Sequence, residues 1–170
     1  MNEILVPAVE KLKQQFKADV SEFRGEVTLF IPADVNVEAA ATLRDEFAFD
    51  LLSALTAVDY CPQTSPRFHM VYIFYSTTHK VYLNVRAALD GDTPSIRTLE
   101  TVYTSANWRE REVWDLFGIR FEGHSDLRRL LLPPDWKGHP LRKDYPLGYE
   151  EVQFTFNFDE IDMRKPKGEL

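Results

Sequence analysis

The sequence predicts an α+β fold: a two-layer sandwich of helices on a small, mostly antiparallel sheet, followed by an extended Pro-rich C-terminal arm. Two β-rich runs, Phe68–Ser76 and Val81–Leu89, flank a short polar connection at Thr77, Thr78 and His79, which is the pattern of an antiparallel hairpin. Stretches with helical apolar spacing share the same part of the chain, and helices packed on one face of a small sheet would bury both kinds of apolar stripe. Beyond residue 121 the apolar residues persist among glycines and prolines without a sustained period.

The elements follow in order. Leu5, Val9, Leu12 and Phe16 recur at helical spacing with Lys11, Lys13, Gln14 and Gln15 between them, predicting an amphipathic first helix. Val27, Leu29 and Ile31 alternate with Thr28 and Phe30 as a strand that Pro32 closes. Asn36 stands where it could cap a second helix, whose Ala40, Leu43 and Phe47 share a face. "FDLLSALTAVDY" (49–60) fits helix or strand. After the hairpin, in which His79 reads as a solvated turn residue, "DGDTPS" forms a loop. Ile96, Leu99, Val102 and Tyr103 then predict a short helix begun at Ser95. "SANWREREVWDLFGI" predicts another. Asn107 and Glu110 resemble a capping box, Val113 and Phe117 share a face, and Gly118 suits a C′ position with positive φ. Its remaining residues, Arg109, Glu110, Arg111, Glu112 and Asp115, read as a solvated, salt-bridged face.

Composition bounds the function. With 170 residues, 44% apolar and 13% aromatic, the chain can bury one sizeable core and carry an appendage. A net charge of −7 argues against a general nucleic-acid binder, and acids lie beside the one basic, aromatic cluster of Arg128, Arg129, Arg142 and Lys143 with Trp136 and Tyr145. No apolar run reaches membrane-spanning length and no small-residue cleavage site follows the start, so a soluble intracellular protein is expected. Cys61 is the only cysteine, expected as a buried or neutral thiol. One cysteine cannot form an intramolecular disulfide or supply the four thiolates of an ordinary iron–sulfur cluster. Dinucleotide, P-loop, zinc-protease and nucleophile-elbow motifs are missing from the sequence.

From Arg120 to Tyr145 six Arg or Lys face four acids, a local net of +2, and Phe121, Leu127, Leu130, Leu131, Leu132, Trp136 and Tyr145 persist where a free linker would not need them. In "GHPLRKDYPL" (138–147), Pro140 and Pro146 forbid an ordinary helix while fixing φ. Val152, Phe154, Phe156 and Phe158 alternate with Gln153, Thr155 and Asn157, one strand's worth of apolar face for this protein's own sheet or for a partner's surface. An enzymatic reading would recruit His124, Asp126, His139 and Asp144 for zinc or acid–base chemistry, although only the first two are close in sequence.

The stretch "EREVWDLFGIRFEGHSDLRRLLLPPDWKGHPLRKDYPL" closely resembles the signature of the C subunit of proton-translocating NADH:quinone oxidoreductase, respiratory complex I. The residues that carry the resemblance are Glu110, Arg111, Glu112, Asp115, Leu116, Phe117, His124, Arg128, Leu130, Leu131 and 138–147; Ser125 stands where the pattern has proline. The front half matches only in element order. The resemblance implies a non-redox structural subunit of the hydrophilic arm, with no catalytic, cofactor or metal residues of its own. FMN, iron–sulfur clusters and quinone would belong to other subunits. Its partners would be the large quinone-site subunit and the cluster-carrying subunits, and its place the cytoplasmic side of a bacterial inner membrane, held there peripherally by the complex. The equivalent subunit of a ferredoxin-dependent photosynthetic quinone reductase is the alternative.

On this reading the chain divides into a compact α+β domain at 1–121 and a docking arm at 122–170. The expected partner interface comprises Glu110, Arg111, Asp115, His124, Arg128, Arg129, Trp136, His139, Pro140, Arg142, Lys143, Asp144, Tyr145, Phe154 and Phe156. "GHPLRKDYPL" would act as a docking strap, its prolines and glycine limiting the entropy lost on binding and its charges selecting one register.

Overall fold

A helix, α1 (Val6–Phe16), opens the chain after a single 3-10 turn, with Pro7 in its first turn where a missing backbone donor costs nothing. Its buried stripe is Ala8, Val9, Leu12 and Phe16. The structure, a computed structural model, describes residues 2–145. Strands β1 (Asp19–Phe23) and β2 (Glu26–Ile31) form a hairpin whose two-residue turn, Arg24 and Gly25, takes φ of 52° and 85°. That pair of positive φ values matches the twist of the flanking strands.

Asn36 does not cap the second helix. A 3-10 turn at Ala33–Val35 runs directly into α2 (Asn36–Phe47), and Asn36 is buried, donating from Nδ2 to the Arg97 carbonyl at 2.7 Å. The ambiguous stretch is strand β3 (Leu51–Asp59), with a register shift between Leu52 and Ala54 that breaks its alternation. The expected hairpin is β4 (Phe68–Ser76) and β5 (Val81–Leu89), paired in full from Phe68↔Leu89 to Ser76↔Val81.

The five strands lie in the order β1-β2-β5-β4-β3, antiparallel except for the β2–β5 pair. One face of this sheet is buried: Val27, Leu29 and Ile31, then Leu83, Val85 and Ala87, then Phe68, Met70, Tyr72 and Phe74, then Leu52, Leu55 and Ala57. The helices' apolar stripes join the same core. The α+β prediction, with helices on a mostly antiparallel sheet, therefore holds.

The helix predicted from Ser95 does not form. Ser95–Arg97 is a short strand, β6, paired in parallel with β7 (Arg120–Glu122), and Val102 and Tyr103 follow in turns. Ile96 and Phe121, opposite one another in that ladder, are both buried, so long-range pairing outweighs the local helical spacing. Between them α3 (Ala106–Phe117) ends at Gly118 with φ 74°, and its amide donates to the Trp114 carbonyl at 2.9 Å. The residue before the helix is Ser105, so Asn107 lies inside α3 and makes no capping box. Cys61 is half-buried in the loop after β3.

Candidate functional site

The charged side of α3 is only partly solvated: Glu112 is exposed and Arg109 half-buried, but the other three charged side chains are buried. Glu110 and Asp115 are fully buried and Arg111 is 8% exposed. Glu110 occupies a slot in the same stripe as Ala106, Val113 and Phe117, so helical geometry aims it into the core. There its carboxylate accepts the Leu99 amide at 2.7 Å and the Thr98 hydroxyl at 2.5 Å. Burial without a cation pushes its carboxyl up to about 7, against the lowering effect of those two donors.

Asp115 organises the chain that follows. Its Oδ2 accepts three successive backbone amides, Leu130 at 3.0 Å, Leu131 at 2.8 Å and Leu132 at 2.9 Å, while Oδ1 accepts the Arg129 guanidinium at 2.7 Å. Burial works to raise this carboxyl, but the Leu132 amide, Arg129 and the Leu131 and Leu130 amides outweigh it and hold it below the ordinary carboxylate range. Arg129 also donates to the Trp136 and Gly138 carbonyls at 2.8 and 3.2 Å. Arg111 donates to the Arg128 and Arg129 carbonyls, both at 3.2 Å, with its guanidinium 5.0 Å from the Trp108 ring centre. A segment without helix or strand thus has its backbone groups satisfied by side chains of α3.

The strap closes back on the end of α3 and then on the sheet. His139 Nδ1 lies 2.9 Å from the Asp115 carbonyl, and the Leu141 amide donates to the Leu116 carbonyl at 3.0 Å. A Cβ at Gly118 would stand 2.5 Å from the His139 ring, so this glycine serves both the helix end and the close approach of the strap. Pro140 is half-buried there. Gly138, at φ 79°, leaves room for the Tyr145 ring.

Further on, the Lys143 amide donates at 2.9 Å to Asp59, at the end of β3. Asp144 lies 2.8 Å from Arg67, whose guanidinium also reaches Asp59 at 3.2 Å and Asp92 at 2.5 Å. Three carboxylates around one nearly buried guanidinium hold Arg67 charged at any accessible pH. Arg142 lies 5.2 Å from the Phe68 ring centre and donates to the Asp92 carbonyl.

Ser125, the departure from the expected proline, has a local role. Its amide and hydroxyl donate to Glu100 at 2.9 and 2.6 Å, and these bonds, with help from Asn107, hold the Glu100 carboxyl down to about 2. A proline could supply neither bond. His124 is fixed between the Asn107 carbonyl and the Asp126 amide, each 3.0 Å from a ring nitrogen. Among the described residues no three or more His, Cys, Asp or Glu side chains are placed to hold a metal ion, and His124, Asp126, His139 and Asp144 form no such group.

The structure therefore gathers Arg111, Asp115, Arg129, Trp136 and His139 around α3, keeps Glu110 in the core with Thr98 and Leu99 and seats Asp144 at Arg67, while Arg128, ion-paired with Asp126 at 2.6 Å, Lys143 and Asp144 are exposed. Phe154 and Phe156, with the rest of the 152–158 pattern, lie outside the described residues. Sequence reasoning missed Asp59, Arg67, Thr98 and Glu100, which act across 7 to 84 residues of separation, and the exposure of Trp108, Leu131 and Leu141, at 62%, 61% and 51%. Trp108 and Leu141 stood in the quoted stretches, but exposure depends on the path of the strap.

Comparison with known proteins shows the family and the fold. Residues 29–151 match the family described as respiratory-chain NADH dehydrogenase, 30 kDa subunit. The NADH-quinone oxidoreductase C subunit of Geobacter sulfurreducens is 48% identical over 143 residues, 82% of this chain and 88% of that protein. The Roseiflexus sp. protein of the same name is 45% identical over 148 residues, 86% and 84% of the two chains. Among solved structures, a trypsin-resistant fragment of Nqo5 superposes with a TM-score of 0.65 at 28% identity, covering 73% of this chain and 99% of that one. A chain of an archaeal membrane-bound sulfane sulfur reductase shares the fold, with a TM-score of 0.73 at 24% identity over 84% and 85%.

Proposed function

We propose, from the premise that this chain belongs to the C-subunit family of NADH-quinone oxidoreductase, the 30 kDa subunit of respiratory-chain NADH dehydrogenase, that it is a non-redox structural subunit of the complex. It docks on the large quinone-site subunit and the cluster-carrying subunits of the hydrophilic arm and supports assembly for electron transfer from NADH to quinone coupled to proton translocation. FMN, the iron–sulfur clusters and quinone lie in those other subunits. The chain itself is held peripherally on the cytoplasmic side of the membrane, and among its described residues no helix is long and apolar enough to cross it.

The observation that carries this reading is the Asp115 anchor. Three amides and one guanidinium fix an irregular segment in a single path. A partner that binds it then meets a pre-ordered surface, with Leu131 and Leu141 projecting outward, and little entropy is lost on docking. The Nqo5 structure is that of a trypsin-resistant fragment that covers 73% of this chain, which supports a compact unit; here the strap through Asp144 packs on that unit. We place Phe154 and Phe156, with Arg128 and Lys143, on the partner side.

The test is purification of an affinity-tagged chain from its own membranes and, separately, alone. The complex is expected to carry NADH-quinone reductase activity, while the isolated chain is colourless and oxidises no NADH. Stoichiometric flavin or iron on the isolated chain would overturn the structural role.

A further inference from the structure

The sheet has a second face, and its composition is unusual for a surface. In β4 the buried Phe68, Met70, Tyr72 and Phe74 alternate with His69, Val71, Ile73 and Tyr75, which are only half-buried. The register sets Tyr82, Asn84, Arg86 and Ala88 beside them on one side and Leu51, Ala54, Thr56 and Val58 on the other; Phe30 lies opposite Arg86. Cross-strand partners share a face, so these side chains form one continuous open field. Tyr82 is 58% and Leu51 43% exposed, and the Tyr75 and Tyr82 rings lie 4.5 Å apart. A field of this breadth, aromatic and aliphatic, marks an interaction site rather than ordinary solvent-facing surface.

Its charge is one-signed over three of the five strands. Across β3, β4 and β5 the face carries a single permanent charge, Arg86. The guanidinium donates to the Tyr60 hydroxyl at a long 3.4 Å, and Tyr60 in turn packs edge-on against His69, ring centres 5.0 Å apart. Burial, and then the charge of Arg86, hold His69 below its ordinary range, so His69 adds no second cation at neutral pH. The acids on the same face lie on β1 and β2: Asp19 stands beyond Phe30 in the row of Arg86, two strands away, and Glu26 opens β2, which pairs directly with β5. Two copies of this chain meeting face to face over β3, β4 and β5 would offer Arg86 no carboxylate, which disfavours a symmetric contact there.

We infer, resting on the reading of this chain as a subunit of a larger complex, that the open sheet face is a docking surface separate from the strap, covered by an apolar patch of a neighbouring subunit that brings an Asp or Glu carboxylate to Arg86. The aromatic and aliphatic field supplies the area. Arg86 supplies register, because a partner placed without its carboxylate would leave the guanidinium desolvated and unpaired.

The complex is purified with a photo-crosslinking p-benzoylphenylalanine replacing Tyr82. Irradiation is expected to join this position to one neighbouring subunit, within a segment where an Asp or Glu lies among apolar residues. Arg86→Glu in that background is expected to cut the yield at least tenfold while the isolated variant melts normally; if it does not fold, Arg86→Gln carries the comparison. Failure of other subunits to co-purify before irradiation rejects the subunit reading itself. With the complex intact, the inference is overturned by no crosslink, by a crosslink to a second copy, to residues 146–170 or to a segment without a carboxylate, or by a yield indifferent to Arg86.

Discussion

The carboxylate of Asp115, buried on α3, accepts the amide proton of Leu131 at 2.8 Å from sixteen residues away, and the amides on either side of Leu131 point at the same oxygen. One helical side chain thereby does for an irregular segment what a neighbouring strand does for a sheet.

Removing that carboxylate should release the strap. Asp115→Ala leaves three amides and the Arg129 guanidinium without their acceptor, and losing one partner of such a buried charged pair costs about 3–5 kcal/mol. Chemical denaturation should read a loss of that size, with Asp115→Asn losing less because one oxygen still accepts.

Glu110 should make stability fall as pH rises. Its folded carboxyl titrates near 7, above the ordinary value, so its contribution is complete below about pH 4 and is lost as pH climbs through 7. A change on the order of 1–3 kcal/mol is expected between pH 5 and 8. Glu110→Gln, which keeps an acceptor for Leu99 and can donate to Thr98, should abolish that slope while leaving the fold at pH 5 intact. An unchanged slope in the variant would assign the pH dependence to another group.

The Glu100–Ser125 pair carries the opposite sign. Glu100 is held down to about 2, so its contribution is present above the ordinary carboxylate range and disappears as pH falls toward 2. Ser125→Pro removes both donors and should return the Glu100 titration, followed by NMR, toward its ordinary value.

Much of the sheet was legible in the sequence, and the surroundings of α3 were not. Period-two alternation and a polar turn identify β4 and β5 because each face of a strand declares itself locally. Ser95–Arg97 misled because its partner, Arg120–Glu122, lies beyond an entire helix. Glu110 was visible in principle, since its spacing from Ala106, Val113 and Phe117 places it on the apolar stripe, but a lone acid there resembles surface charge until Thr98 and Leu99 are seen to face it. Asp115 was named by the resemblance, but its anchoring role could not be read without the path of residues 129–132.

Neighbouring strap residues should separate by function. Arg142 is half-buried against Phe68 and bonded to the Asp92 carbonyl, so Arg142→Glu should lower the melting temperature of the isolated protein. The Lys143 side chain is exposed and only its backbone amide is engaged, so Lys143→Glu should melt as the wild type does.

Docking of this protein into its complex through the outward side of the anchored strap is tested most directly by one ratio. It is the amount of this chain relative to the other subunits in complex purified from cells expressing only the Leu131→Asp, Leu141→Asp double variant. Both side chains are exposed, so the isolated variant should melt normally. A charged pair set into an apolar interface should then reduce incorporation at least tenfold. Stoichiometric incorporation of the folded variant would contradict docking through the strap.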